Sequence, residues 1–244
     1  MIKELREASR KDVSEPLGIR AFRVFSVYLT ALFVKLRFSP NLVSLLSIIS
    51  AVGGAVLLMF GSYQFLVIGS AMMVFSYLLD RSDGELARYT GKLTIYGCYL
   101  EILNSNILYG SLFVGLSVGV YRYLGDITML WFGISAVFFK FLYRFCNTSK
   151  GVLLKNLNHK PEHAPLAINQ TSPFYKKILW EVFMFIFLAN GIIILALVFA
   201  IINKLNFLLM FYGVAMPLVF LVQSYFHWLD LKNLQSENVG VLKK

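Results

Sequence analysis

The sequence carries little charge for its length and holds only two cysteines. Of its 244 residues 15% are charged, against about 25% in an average soluble domain. Hydrophobic residues make up 58% of the chain, and the mean hydropathy is +0.68. So few polar residues cannot cover a soluble core of this size, which excludes a soluble globule, and the apolar content excludes a disordered chain. The composition indicates a single polytopic membrane domain.

The scarcity of cysteine excludes a second class of protein. Cys98 and Cys146 are too few for the disulfide framework of a small secreted scaffold. We expect both to be free thiols that take part in packing. The first twenty residues mix acidic and basic side chains and contain no apolar run. A signal peptide is therefore not expected at this end of the sequence.

Long uncharged runs predict six membrane-spanning helices. No charged residue occurs from Phe38 to Leu79, a run of 42 residues, which is about twice the length of one span. The turn-forming stretch from Gly61 to Gln64 divides this run into two helices. The predicted spans lie at residues 41–60, 65–79, 94–120, 127–145, 178–202 and 205–229. The predicted fold class is an all-α integral membrane protein with six transmembrane helices.

The cations alternate between the segments that join these helices. The N-terminal segment and every second segment after it together hold 20 Lys and Arg residues. The connectors between these segments hold two. The positive-inside rule then predicts that both termini are cytoplasmic, on the side where Cys98 and Cys146 would stay reduced. The net charge of +10 is accordingly assigned to this face and to anionic membrane lipid, and no nucleic-acid partner is expected.

The segment before the first span is predicted to be an interfacial amphipathic helix. Between Pro16 and Phe38, large apolar side chains recur at helical spacing and polar ones fall opposite them. The two sets are Phe22, Phe25, Leu29, Leu32, Phe33 and Leu36, and Arg20, Arg23, Thr30 and Arg37. A basic helix of this kind lies in the interface plane, and its cations disfavour the alternative of a seventh, tilted span. The chain is thus divided into a cytoplasmic N-terminus at 1–37, a six-span domain at 38–230 and a cytoplasmic tail at 231–244.

Four of the thirteen acids cluster near the predicted cytoplasmic ends of spans two and three. They are Asp80, Asp83, Glu85 and Glu101. Asp80 and Asp83 share one helix face at a predicted helix C-terminus, where the helix dipole disfavours anions. Glu101 lies about one turn inside an apolar stretch, which marks a functional site by default. Oxygen ligands on two neighbouring helices suit a hard divalent cation such as Mg²⁺ or Mn²⁺. The alternative is a hydrated acidic loop paired with the neighbouring cations.

The same residues form a spaced motif. The run Asp80-x2-Asp83-Gly84-x2-Ala87-Arg88-x8-Gly97-x3-Glu101-x3-Ser105 resembles the signature of the CDP-alcohol phosphotransferase (CDP-alcohol phosphatidyltransferase) family, D-x2-D-G-x2-A-R-x8-G-x3-D-x3-D. The spacing agrees throughout. Glu101 replaces the third Asp and keeps a carboxylate. Ser105 replaces the fourth Asp, and its hydroxyl is a poor base and a weak metal ligand at neutral pH.

The resemblance implies a membrane transferase that moves a phosphoalcohol group from a CDP-alcohol to an acceptor alcohol and releases CMP, in phospholipid or related biosynthesis. It implies Mg²⁺ or Mn²⁺ on three acids, a nucleotide site and two catalytic positions. The metal ligands would be Asp80, Asp83 and Glu101, the nucleotide would lie on Asp80, Gly84, Ala87 and Arg88, and the catalytic positions are Glu101 and Ser105. The active site would face the cytoplasm.

Two further hypotheses concern function. Because Ser105 stands where the family has an acid, the alternative is a catalytically impaired member that binds nucleotide or lipid without efficient turnover. A transporter is the third class, although the sequence shows no inverted repeat and no acids spread through the bilayer midplane.

Two smaller patterns remain open between function and structure. Lys140 and Arg144 lie one turn apart near the cytoplasmic end of span four, where they would either bind a phosphate on the acceptor or snorkel to the surface. Ser111, Gly115 and Gly119 form a stripe of small residues on span three. The stripe suits close packing within the chain or a homodimer contact.

Overall fold

The computed structural model describes residues 2–8, 17–156, 174–188 and 191–242, and every regular element within these ranges is a helix. The helices, numbered in chain order, are α1 (Ile2–Ala8), α2 (Leu17–Lys35), α3 (Pro40–Met59), α4 (Tyr63–Thr90), α5 (Ile95–Leu124), α6 (Thr128–Asn156), α7 (Phe174–Phe183) with the π-helical turn Met184–Leu188, α8 (Gly191–Ile201) and α9 (Leu205–Leu242).

Five of these helices are long and apolar enough to cross a membrane, namely α3, α4, α5, α6 and α9. The helices on either side of residues 189–190, Tyr175–Phe187 and Gly191–Ile201, meet the same criterion only as a pair and lie at 76° to each other. The protein is therefore a multi-pass integral membrane protein, and the predicted all-α fold class is confirmed. The predicted fifth span differs in form, because it consists of two helices at an angle and not of one continuous helix.

Helix α4 continues well beyond the predicted end of span two. It runs to Thr90 and ends at Gly91, which has a left-handed conformation with φ of 67°. The prediction that Asp80 and Asp83 lie at a helix C-terminus is therefore wrong. The first charge marks where the apolar run stops, but residues such as Glu85 and Ala87 have high helix propensity and extend the helix. Asp80 and Asp83 consequently lie within the body of α4, about two turns or more before its last residue.

Close packing of small residues joins α3 to α4 and α5. A Cβ atom placed on Gly69 would lie 2.8 Å from the carbonyl oxygen of Gly54, and one on Gly119 would lie 2.1 Å from that of Leu58. Gly115 packs in the same way against the backbone of Ala55. Two members of the predicted stripe on span three are thus used for packing within the chain, and the homodimer stays a prediction.

Helix α2 packs along α4 with a different face from the one its pattern predicts. Phe25, Leu32 and Leu36 are exposed, as expected for side chains that meet lipid, and Phe33 is buried. Thr30 is predicted on the polar side of the helix, but this prediction is wrong, because Thr30 is fully buried. Its burial has a physical reason, because a carboxylate on α4 accepts its hydrogen bond.

Candidate functional site

A cleft of about 140 Å³ lies between α3, α4 and the start of α5. Six residues of the motif line it together: Asp83, Gly84, Ala87, Arg88, Gly97 and Glu101. The other lining residues are Pro40, Asn41, Ser44, Lys92, Leu93, Thr94 and Cys98. The spacing of the motif therefore has a structural basis, because it brings one face of α4 opposite the first turns of α5.

Asp83 is the buried acid of this cleft, with 5% of its surface exposed. The hydroxyl of Ser44 on α3 donates a short hydrogen bond to Oδ2 of Asp83. The same hydroxyl also lies 3.3 Å from the carbonyl oxygen of Pro40, one turn earlier. A buried carboxylate needs such partners, and this contact fixes Asp83 toward α3 and the cleft.

Asp80 lies one turn earlier on α4 and is held from α5. The side-chain amide of Asn104 donates to Oδ1 of Asp80 over 2.7 Å and lies 2.9 Å from the hydroxyl of Ser47 on α3. Ser47 in turn donates to the carbonyl oxygen of Ser76 over 2.8 Å. The three spans around the site are thus joined by a buried polar network that ends on the first acid of the motif.

Gly84 allows Arg88 to lie close against the helix. A Cβ atom on Gly84 would be 3.2 Å from Nη1 of Arg88, which is tighter than most natural contacts of a Cβ atom. Glycine at this position therefore keeps the guanidinium one turn later at the wall of the cleft. Ala87, between them on the lining, leaves room because its side chain is a single methyl group.

The three acids predicted to bind metal are near one another but do not converge. The charge of Glu101 acts on both Asp80 and Asp83. Among the described residues, however, no three His, Cys, Asp or Glu side chains lie close enough together to hold a metal ion. Asp80 and Asp83 are engaged by Asn104 and Ser44, whereas Glu101 is exposed at the cleft. Three carboxylates on two adjoining helices fit a hard divalent cation in chemistry, and Glu101 is the one with room to move.

Ser105 lies half-buried on α5, one turn beyond Glu101. Its neighbour Asn104 is fully buried and carries the contact to Asp80. Where the family signature has its fourth acid, this chain therefore presents a neutral hydroxyl beside an amide that binds the first acid.

The structure separates Lys140 from Arg144. Lys140 is buried, with 3% exposure, and its ammonium donates to the carbonyl oxygen of Phe187 over 2.7 Å and lies 4.6 Å from the centre of the Tyr109 ring. Phe187 belongs to the turn that ends at Leu188, where carbonyl groups lack helical partners. The hydroxyl of Tyr212 satisfies the preceding carbonyl in the same way. The buried position of Lys140 differs from the snorkelling alternative, in which its ammonium would reach the surface.

Arg144 lies nearer the motif acids. Its guanidinium lies 5.5 Å from the centre of the Tyr109 ring, and its charge acts on Asp80, as does that of Arg81. Arg81 also donates to the hydroxyl of Tyr77 over 2.7 Å. Cations from α4 and α6 thus both act on the charge of Asp80.

The contacts of several residues that hold the site together were not predicted from the sequence. Ser44, Asn104 and Arg81 contact or act on the motif acids, and Glu85 binds α2. Polar residues inside apolar spans were the available signal for Ser44 and Asn104. For Arg81 and Glu85 the charge was visible, but the partner was not, because it comes from a different helix.

Comparison with known proteins agrees with the motif. A family model described as CDP-alcohol phosphatidyltransferase matches residues 37–231, which include every residue of the cleft. Among solved structures, the chain is similar to phosphatidylinositol phosphate synthase of Mycobacterium tuberculosis with CDP-DAG bound, with a TM-score of 0.60 and 16% identity over 83% of this chain and 93% of that chain. At this identity the similarity shows a shared fold alone. No curated protein sequence matches the chain significantly.

Proposed function

We propose that this chain, which belongs to the CDP-alcohol phosphatidyltransferase family, moves a phosphoalcohol group from a CDP-alcohol to an acceptor alcohol and releases CMP. One observation carries the proposal: Asp83, Gly84, Ala87, Arg88 and Glu101 line a single cleft. The cleft lies at one end of the bundle, so a lipid substrate would keep its tails in the bilayer while its diphosphate reaches these side chains. The transporter hypothesis has no comparable support, because the family is one of transferases.

The cleft suits the nucleotide half of such a donor. Arg88 and Lys92 supply positive charge for a diphosphate, and both line the cleft. Gly84 has no side chain and Ala87 has a single methyl group, so a flat ring could approach the backbone of α4 at this wall of the cleft. Asp80, one turn before Asp83 on α4, would also bind the nucleotide.

Asp80, Asp83 and Glu101 would hold a divalent cation, Mg²⁺ or Mn²⁺. When bound, such a cation offsets charge on the diphosphate and on the departing CMP. The exposed Glu101 would complete the set from α5 by a change of its own side-chain conformation, since Asp83 is fixed by Ser44 and Asp80 by Asn104.

The acceptor would approach from the side of Asp80 that faces α6. Arg144 acts there on the charge of Asp80, and Lys140 lies one turn deeper. A phosphate group on the acceptor would bind Arg144 first, because the ammonium of Lys140 already donates to Phe187 and the guanidinium of Arg81 already donates to Tyr77. An acceptor that carries a phosphate monoester is therefore the class we propose for this position.

In the reaction the acceptor hydroxyl attacks the phosphorus distal to the cytidine. A new P–O bond forms, the bond to the bridging oxygen breaks, and CMP departs with that bond's electron pair. The acceptor proton must go to a base. Ser105 is a poor base, so we assign this role to Glu101, through the carboxylate oxygen that the divalent cation would leave free. This assignment is the most specific part of the proposal.

A second candidate function follows from Ser105. If Glu101 cannot replace the missing acid, the chain binds CDP-alcohol or lipid without efficient turnover. The experiment is CMP release by the full chain in proteoliposomes, with a panel of CDP-alcohols, phosphorylated and unphosphorylated acceptors, and Mg²⁺ or Mn²⁺. Release by the unaltered chain supports the transferase. Release only by Ser105→Asp supports the impaired relative, and absence of release from both contradicts the transferase.

A further inference from the structure

Glu85 lies in the motif segment of α4 but is not one of the residues that the motif specifies. It is buried, with 3% exposure, and both of its carboxylate oxygens accept hydrogen bonds from α2. The hydroxyl of Ser26 donates to Oε1 over 2.7 Å, and that of Thr30 donates to Oε2 over 2.8 Å. Both donors are fully buried. Helix α2 is therefore hydrogen-bonded to α4, the helix that carries Asp80 and Asp83, through the side chain of Glu85.

The position of Glu85 relative to Asp83 shows how this contact restrains α4. The two residues are two positions apart, so their side chains leave the helix about 200° apart around its axis. Asp83 is held on one side by Ser44 of α3, and Glu85 is held on nearly the opposite side by Ser26 and Thr30 of α2. Hydrogen bonds on opposite sides of one turn fix the rotation of α4 about its own axis.

Stability of the fold does not explain why residue 85 is a carboxylate. The α2–α4 contact already has apolar packing nearby, where Phe33 lies against Leu79 and Leu86. A carboxylate buried between two neutral hydroxyls loses more hydration than an apolar side chain would, and its hydrogen bonds only partly compensate. What it adds is direction, since a hydrogen bond depends more strongly on the angle between its partners than an apolar contact does.

We propose that Glu85 is a positioning residue for the nucleotide cleft. Through Ser26 and Thr30 it sets the rotation of α4 that brings Asp83, Gly84 and Arg88 to the same wall. The interfacial helix α2 thereby becomes a structural part of the site, although none of its described residues lines the cleft. This inference rests on the proposed function, in which the cleft binds the cytidine diphosphate part of the donor.

Cys98 offers a measurement of binding that does not need turnover. Its thiol is exposed and lies in the lining of the cleft. With Cys146 replaced by Ser, the rate of Cys98 alkylation by a maleimide is measured on the full chain in proteoliposomes, at increasing concentrations of CDP and fixed Mg²⁺. The concentration of CDP that halves the rate reports nucleotide affinity, whatever the fate of catalysis.

Three variants separate positioning from folding. Glu85→Gln keeps one acceptor oxygen and adds an amide that can donate to a hydroxyl. CDP should therefore halve the alkylation rate of this variant at nearly the same concentration as in the unaltered chain. Glu85→Leu should raise that concentration about tenfold, because the directional contact is lost. The triple variant Ser26→Ala, Thr30→Val, Glu85→Leu replaces the whole contact by apolar groups. Its thermal unfolding should return toward that of the unaltered chain, while its affinity for CDP stays low.

The outcomes are distinct. If the triple variant unfolds like the unaltered chain and binds CDP equally well, Glu85 has no positioning role. If Glu85→Gln is as defective as Glu85→Leu, the hydrogen bonds are not what matters, and the proposal also fails. If CDP does not protect Cys98 even in the unaltered chain, the nucleotide cleft itself is refuted, and the proposed function falls together with this inference.

Discussion

The side-chain amide of Asn104 on α5 donates a hydrogen bond to Asp80 on α4 over 2.7 Å. The first acid of the motif is thus fixed by a residue that lies next to Ser105, the position where the family signature has its last acid. Asn104 is fully buried and also contacts Ser47 of α3. Ser105 therefore places a neutral side chain where the signature has an acid, and the adjacent Asn104 donates a hydrogen bond to Asp80.

Replacing Asn104 should disturb Asp80 directly. Asn104→Leu keeps a similar volume but removes the donor, and we expect CMP release to fall about tenfold, as for the loss of a hydrogen bond to a charged group. Asn104→Asp should be worse, because it would place a second carboxylate at hydrogen-bonding distance from the first. Asn106→Leu, two residues along the same helix, is the matched control. Initial rates in proteoliposomes decide the matter, and equal rates for the Asn104 and Asn106 variants would contradict it.

Gly84→Ala should separate stability from substrate binding. Alanine favours a helix over glycine by about 1 kcal/mol, so thermal stability should hold or rise. The new Cβ atom would nevertheless lie 3.2 Å from Nη1 of Arg88, so the guanidinium must shift by a few tenths of an ångström. We expect KM for the CDP-alcohol to rise several-fold with a smaller change in kcat. Gly151→Ala, with open space around its Cβ position on α6, is the control that should leave KM unchanged.

Gly119→Ala should destabilise the monomer itself. The added Cβ atom would lie 2.1 Å from the carbonyl oxygen of Leu58, which is backbone and cannot move without shifting α3. We expect a loss of roughly 1–3 kcal/mol, the usual cost of overpacking, seen as a lower unfolding temperature in detergent. If the stripe instead served a homodimer, the substitution would dissociate the dimer and leave the unfolding temperature of the monomer intact.

The orientation predicted from the cations can be tested with two thiols. Cys98 lies at the cleft, and Asp126 lies in the connector between α5 and α6, near the other end of α5. In a chain with Cys146→Ser, an impermeant maleimide should fail to label Cys98 in intact cells and should label the variant Asp126→Cys. Labelling in the reverse pattern would place the cleft on the outer face and contradict the positive-inside prediction.

The sequence predicted the elements whose signal is local. The uncharged run from Phe38 to Leu79 is long enough to specify two spans, and the fixed spacing of the motif brought Asp83 and Glu101 to one cleft. The predicted end of span two is too early, because a charged residue ends the apolar run but does not end the helix. Helix α4 ends at Gly91, whose backbone is left-handed.

What the sequence could not predict depends on partners from other helices. Thr30 looks like a polar surface residue until Glu85 is known to lie opposite it, and Lys140 looks like a snorkelling cation until the carbonyl of Phe187 is placed beside it. Neither partner is close in sequence, and hydrophobic periodicity carries no information on polar pairs within a bundle. These contacts follow from packing and so required the structure.

The central claim is that the cleft around Asp83 carries phosphoalcohol transfer. The most direct measurement is the initial rate of CMP release from a CDP-alcohol in the presence of acceptor and divalent cation, with Asp83→Asn compared with Asp126→Asn. Ser44 can still donate to the amide oxygen of Asp83→Asn, so the fold should persist, and Asp126 is fully exposed in a connector. We predict that release falls a hundredfold or more, about 2.7 kcal/mol, in Asp83→Asn and is unchanged in Asp126→Asn. Equal release by Asp83→Asn and the unaltered chain would contradict the account.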